Sequence, residues 1–356
     1  MKPRKTRIAL LFGGRSAEHE VSLISASAIY RNINTRKYEV ISFYINKKGE
    51  WKKVASPLLS PEKLEKGPSF SFLPWEAAAF SRRVRADIYF PVLHGPYGED
   101  GTIQGLLEMA DVPYVGAGVL ASAAGMDKAV MKALFAVKNL PLVKSRTFLD
   151  SEYLKNKKAI LGLIKKEFPL PFFVKPANLG SSVGISKVKT YAETSTALGK
   201  AFRYDRKILV EQGILGREVE CSVLGNEEPR ASLPGEVIPS REFYDYRDKY
   251  LEGKTRFRIP AKLPEAKIKE IERLAIEAYQ AVGCSGLARL DFFLEERTGK
   301  IYVNEINTMP GFTEISMYPK LWGVSGIPFP RLVEELIRLG FRRHRRKKRC
   351  LERLAR

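Results

Sequence analysis

The chain has 356 residues, with 61 Lys and Arg against 40 Asp and Glu, which gives a formal net charge of +21. That length supports two or three domains at about 100 to 200 residues each, and a hydrophobic fraction of 44% with 27 Gly and 21 Pro excludes a disordered, collagen-like or coiled-coil chain. No apolar run reaches the roughly 18 residues of a membrane span, the start is too short for a signal-peptide core, and three widely spaced cysteines fit a reducing cytoplasm.

Ile8 to Phe12 reads as a short buried strand, which Gly13 and Gly14 turn into a helix over 16–33 with Ser16 as the expected N-cap. Further strands are expected from Glu39 to Ile45 and from Ala86 to Leu93. Strand, glycine turn, helix and strand in that order predict an α/β unit with a parallel sheet. Helices follow over 102–110 and 127–138. Beyond Pro141 the strands crowd together, at Phe172 to Lys175, Val183 to Val188, Lys207 to Glu211 and Val219 to Leu224, as in a mixed, largely antiparallel second unit. A helix over 264–282 precedes two strands, Leu287 to Leu294 and Lys300 to Ile306, and a last helix near 330–339 leads into a basic tail. Residues 341–356 hold nine Lys and Arg against one Glu. Such a run is most often a solvated extension, and nucleic acid or an anionic surface is the other reading. No recognisable nucleic-acid module elsewhere supports the latter.

The strongest chemical signal is the hairpin before that last helix. If Glu295 faces Ile301 across its turn, Asp291 faces Glu305 and Arg289 faces Asn307, with all four side chains on one side of the sheet. Two opposed carboxylates repel unless a cation lies between them. Arg289 is one source of that charge. The all-oxygen set of Asp, Glu and Asn favours the other, Mg²⁺, which keeps a few protein carboxylates and fills its remaining places with phosphate oxygens.

A metal of this kind invites a nucleotide, yet the G-x-x-x-x-G-K-[ST] loop is absent. The alternative cradle is Lys175, followed by the small-residue loop Gly180-Ser181-Ser182-Val183-Gly184, whose backbone and hydroxyl donors suit phosphate. That loop also matches the G-x-S-x-G nucleophile elbow, but the only downstream histidine is His344 in the tail, so no triad forms. Gly116 to Ala121 resembles a dinucleotide fingerprint, but Lys138 and Asn139 stand where an acid is needed. His94-Gly95-Pro96-Tyr97-Gly98-Glu99-Asp100-Gly101 closes a strand and reads either as a crevice loop or as a capped tight turn. The polar and aromatic run 242–250 reads as a lid or partner surface.

Together these stretches, LFGGRSAEHEVSL, LHGPYGEDGTIQG, VGAGVLASAAGMDK, FVKPANLGSSVGISKV, EFYDYRDKY, ARLDFFLE and NEINTMPGFT, resemble the D-alanine–D-alanine ligases of the ATP-grasp superfamily from about residue 6 to residue 340. The resemblance implies an α/β fold of the α+β ATP-grasp type. An N-terminal parallel α/β domain, 1–126, would be followed by two mixed or antiparallel units, 127–218 and 219–340, that sandwich ATP, with 341–356 as a basic tail. It implies two Mg²⁺ or Mn²⁺ ions on Asp291, Glu305 and Asn307. ATP would meet Lys128, Lys175, Gly180, Ser181, Ser182, Glu211, Gln212, Ile214, Glu218, Lys249, Asn304 and Glu305. Glu18 would anchor the first D-alanine beside His94, and Ser181 and Tyr250 would orient Glu18. Arg289 and the Gly311 N–H would hold the oxyanion, with Ser316 near the second carboxylate. The implied reaction joins two D-alanines through D-alanyl phosphate for peptidoglycan precursor synthesis, in a cytoplasmic homodimer. Relatives that use D-lactate or D-serine share most of this machinery, and a tyrosine at 250 favours D-alanine.

Overall fold

The computed structural model describes residues 4–71, 83–239 and 255–354. These residues build three sheets in succession. The first has the order β3-β2-β1-β4, from β1 (Thr6–Gly13), β2 (Tyr38–Ile45), β3 (Trp51–Val54) and β4 (Ile88–Val92), with β1 parallel to β2 and β4. Ile8 to Phe12 are all fully buried because this sheet is covered on both faces. Ile8, Leu10 and Phe12 enter one core, and Ala9 and Leu11 enter another.

The second sheet has the antiparallel order β5-β8-β6-β7, from β5 (Ser145–Leu149), β6 (Phe172–Pro176), β7 (Ser186–Val188) and β8 (Lys207–Gln212). The third has the order β12-β11-β9-β13-β14, with β9 (Gly216–Gly225), β10 (Arg230–Ala231) on its edge, β11 (Gly235–Ile238), β12 (Arg256–Arg258), β13 (Gly286–Glu295) and β14 (Ile301–Asn307). The helix Glu265–Ala281 lays Ile271, Leu274, Ala275 and Ala278 against Val219, Cys221, Leu290 and Phe292 of that sheet. By alternation the opposite face carries Glu220, Arg289, Asp291, Glu305 and Asn307. The helix Lys128–Val137 joins this same core through Met131 and Phe135.

Several expectations need correction. The first helix is His19–Asn32 with Glu18 at its N-cap. Ser16 instead ties the loop to β4, its hydroxyl donating to the His94 carbonyl at 2.6 Å and accepting the Glu18 N–H at 3.1 Å. The strand expected from Val183 is only Ser186–Val188, since Ser181, Ser182 and Gly184 take positive φ of 50°, 59° and 76°. Because β9 starts at Gly216, a boundary at 218/219 cuts a strand. The hairpin turn sets Leu294, rather than Glu295, opposite Ile301. A bulge then restores the expected pairs Asp291 with Glu305 and Arg289 with Asn307.

The largest departure is the tail. A single helix runs over Phe329–Leu354, well past the expected end at 339. Gly340 is a contact point within it: a Cβ there would lie 2.7 Å from the Tyr114 carbonyl oxygen. Beyond it the Arg343 guanidinium sits 4.0 Å over the Tyr114 ring and donates to the Gly116 carbonyl and the Ser285 hydroxyl. Arg342 and Arg346 pair with Glu227, and Lys347 pairs with Glu108. Leu332, Val333, Leu336 and Ile337 of this helix share one core with Ile8, Leu10 and Ile88 of the first sheet.

Candidate active site

The polar face of the third sheet carries three carboxylates in a row, because Asp291 on β13 is opposite Glu220 on β9 and Glu305 on β14. Arg289 supplies the countercharge. Its guanidinium grips Asp291 through two bonds of 2.7 Å and lies 3.0 Å from Glu220. The Asn307 amide donates to Asp291 at 3.2 Å, and the Lys128 ammonium stands 3.6 Å from Glu305. Among the described residues no cage of three His, Cys, Asp or Glu side chains exists, and both Asp291 oxygens are held by Arg289. Asp291, Glu305 and Asn307 nevertheless offer on one face the hard oxygen donors that suit an ion sharing its coordination with phosphate and water.

Asp127 caps the helix Lys128–Val137 by accepting from the N–H groups of Ala129 and Val130 at 3.0 and 3.1 Å, which fixes where its lysines point. Lys128 donates to the Leu179 carbonyl at 2.7 Å and so anchors the entry to the glycine loop. One turn on, Lys132 lies 2.6 Å from Glu211, whose other oxygen holds Lys175. Burial alone would raise the Glu211 pKa, but the two lysines outweigh it and hold the carboxyl at about 2. Gln212 ends β8 and Ile214 follows in the short link to β9, where Glu218 pairs with Phe293. Asn304 is the extra residue at the bulge and is buried.

The loop reaches across to the first sheet. Ser181 donates to Glu18, and a Cβ on Gly180 would lie 3.3 Å from the same carboxylate. Glu18 and His94 follow the C-terminal ends of β1 and β4, where ligands bind in α/β sheets. His94 is buried, and burial pushes its pKa below the ordinary value despite the Glu18 charge. The neutral ring must donate from Nδ1 to the Met309 carbonyl at 2.9 Å, which leaves Nε2 to accept from Ser25 at 3.1 Å. Ser25 in turn accepts the Phe312 N–H at 3.1 Å. Glu99 accepts the Gly95 N–H at 2.9 Å, and its pKa is pushed up to about 8 by burial and by Glu18. It therefore carries a proton at neutral pH.

Glu18, His94, Ser181, Arg289, Glu305, Asn307, Gly311 and Ser316 line one cleft, and Lys128 and Glu305 line its continuation. A Cβ on Gly311 would lie 2.6 Å from the Ser316 hydroxyl, so a glycine is required for that approach. Ser182 belongs to the same loop, whereas Tyr250 and Lys249 lie outside the described residues. Sequence reasoning did not single out Glu220 or Lys132. The alternation of Glu218, Glu220 and Ser222 with Val219, Cys221 and Val223 marks the first, and the i, i+4 spacing from Lys128 marks the second.

Comparison with known proteins gives a consistent family. Residues 7–117 match the family model described as D-ala D-ala ligase N-terminus, and residues 134–338 match that described as D-ala D-ala ligase C-terminus. A D-alanine--D-alanine ligase from Solibacter usitatus is 52% identical over 96% of this chain and 98% of its own length. One from Bacillus cytotoxicus is 47% identical, again over 96% and 98%. Among solved structures, the D-alanine-D-alanine ligase from Coxiella burnetii matches with a TM-score of 0.87 at 39% identity, covering 99% of each chain. A D-Ala:D-Ser ligase from Enterococcus faecalis matches at 0.84 and 36% identity, over 95% of this chain and all of that one.

Proposed function

Because the chain belongs to the D-alanine–D-alanine ligase family, whose members are ATP-dependent ligases of the ATP-grasp fold, we propose that its cleft joins two D-alanines in two steps with the following division of labour. The observation that carries this reading is the meeting in one cleft of the oxygen-donor face of β13 and β14 with the Ser181 to Glu18 bridge.

Glu18, held by Ser181, anchors the ammonium of the first D-alanine, and His94 stands beside its carboxylate. Lys128, Lys175 and the Gly180, Ser181 and Ser182 backbone receive the ATP phosphates. Glu211, Gln212 and Ile214 line the adenine edge, and Glu218 takes the ribose. Asp291, Glu305 and Asn307 would hold two divalent ions, Mg²⁺ or Mn²⁺, with Asn304 beside the nucleotide. When bound, such ions neutralise charge on the reacting carboxylate and the γ-phosphate. The first carboxylate attacks that phosphate to give D-alanyl phosphate and ADP. The amine of the second D-alanine then attacks the acyl carbon and expels phosphate. Arg289 and the Gly311 N–H stabilise the intervening oxyanion, and Ser316 meets the second carboxylate. The family resemblance gives Tyr250 the task of orienting Glu18 with Ser181, and Lys249 that of meeting a phosphate. The reading includes a homodimer and a cytoplasmic enzyme that supplies peptidoglycan precursors. In its support, Cys221, Cys284 and Cys350 are free, and no helix among the described residues is long and apolar enough to cross a membrane.

The test is D-alanine-dependent release of phosphate from ATP, with the dipeptide identified by mass. Release only with D-lactate or D-serine as acceptor would overturn the acceptor assignment. Absence of release with every small D-acid would overturn the ligase itself.

A further inference from the structure

Lys132 has no task in the division of labour above, yet it is among the most buried lysines of the chain. Its side chain is 7% exposed, and among the described residues its anionic partner is Glu211, itself 2% exposed. Glu211 also holds Lys175, so two ammonium groups share one buried carboxylate, and the Glu305 and Glu218 charges act on Lys175 from further off. A carboxylate buried in such a place is costly to leave without a cation beside it. The geometry assigns the two lysines to different elements. Lys175 is the penultimate residue of the strand that leads into the glycine loop, whereas Lys132 is fixed on the capped helix Lys128–Val137, whose Met131 and Phe135 are locked in the third sheet's core.

We propose that Lys132 is a positioning residue that neutralises Glu211 whenever Lys175 turns to the ATP phosphates, so that the nucleotide gains a cation and the adenine edge keeps a fixed carboxylate. The inference rests on the proposed role of Lys175. A single lysine could not serve both groups: leaving Glu211 for phosphate would strand a buried anion, and staying would withhold charge from ATP. Burial opposes the Glu211 charge and the two lysines outweigh it, so the carboxylate stays ionised and needs a permanent partner.

Three variants form the test, Lys132→Met, Glu211→Gln and the two combined, each assayed for the KM of ATP, the KM of D-alanine, kcat and calorimetric binding of MgADP. Lys132→Met is expected to raise the KM for ATP and weaken MgADP binding by about 30-fold or more, the effect of truncating one partner of a buried charge pair. The KM for D-alanine should stay within about twofold, and Lys132→Arg should recover most of the loss. In the Glu211→Gln background the same substitution should change the KM for ATP by less than about threefold, since no anion is left to strand. Equal effects in both backgrounds, or a KM for ATP unchanged by Lys132→Met, would overturn the inference. If Lys132→Met alone does not fold, recovery of folded protein in the combined variant supports the pairing and continued failure overturns it. Lys175→Met separates the two levels. Unchanged MgADP binding in that variant refutes the phosphate role of Lys175, whereas loss there with none in Lys132→Met refutes only the inference.

Discussion

Glu99 is a carboxyl that the fold keeps protonated, and replacing it with glutamine should stabilise the protein in a pH-dependent way. The native group binds its proton up to about pH 8, while the unfolded chain releases it near the ordinary value of 4.5. Between those values the native state holds more protons than the unfolded one, so stability falls as pH rises. At 1.36 kcal/mol per pH unit, the loss accumulated by pH 7 is about 3 kcal/mol, and it grows until about pH 8. The cause is burial first and the neighbouring Glu18 charge second, with the Gly95 and Met309 N–H groups and Arg289 opposing. A glutamine side chain has the shape of the protonated acid, and its amide oxygen can still accept the Gly95 N–H. Thermal melts of wild type and Glu99→Gln should therefore coincide near pH 4.5 and separate by about 5 °C toward pH 8, with the variant higher. A difference that does not vary with pH, or a variant that becomes the less stable partner at pH 8, would refute the protonated state and the burial that explains it.

Ser181→Ala removes a hydrogen bond to a carboxylate, a loss of about 1.5–3 kcal/mol; kcat/KM for D-alanine should fall about 10- to 100-fold in steady-state assays while the KM for ATP changes little. Glu305→Gln should cost at least about 100-fold in activity, and full activity retained at low Mg²⁺ would exclude its role as a metal ligand. Arg343→Ala gives up a ring contact and hydrogen bonds to Gly116 and Ser285. Differential scanning fluorimetry should record a stability loss of about 2 kcal/mol, with unchanged D-alanine kinetics.

What the sequence made legible was set by local pattern. Ile8 to Phe12 is a continuous apolar run because both faces of its sheet are covered, and the β13–β14 hairpin alternates because one face is core and the other cleft. The hairpin also marks the limit of such reasoning. The assumed turn register is off by one, and the Asp291 to Glu305 pairing returns only through a bulge that no periodicity announces. Unforeseen elements have weak patterns: β5 buries only Phe148, and the helix Asp150–Glu167 buries Tyr153, Ile160 and Ile164 across a kink at Asn156. The helix Val119–Met126 begins inside the stretch Gly116 to Ala121 that resembles a dinucleotide fingerprint. Glu220, Lys132 and Glu99 depend on partners distant in the chain, so their burial and charge balance arise only in three dimensions.

The core shared by the first sheet and the final helix also sets an order of events during synthesis. Ile8, Leu10 and Ile88 are translated well before the side chains that cover them, Leu332, Val333, Leu336 and Ile337. The nascent segment that carries the first sheet therefore cannot finish burying its own apolar surface until the helix that starts at Phe329 has been made. A fragment that stops before Phe329 should bind hydrophobic dyes and aggregate, even though it contains every strand of all three sheets. The first sheet and this helix mature as one folding unit, and the second and third sheets, which lie between them in the chain, are made before that core can close.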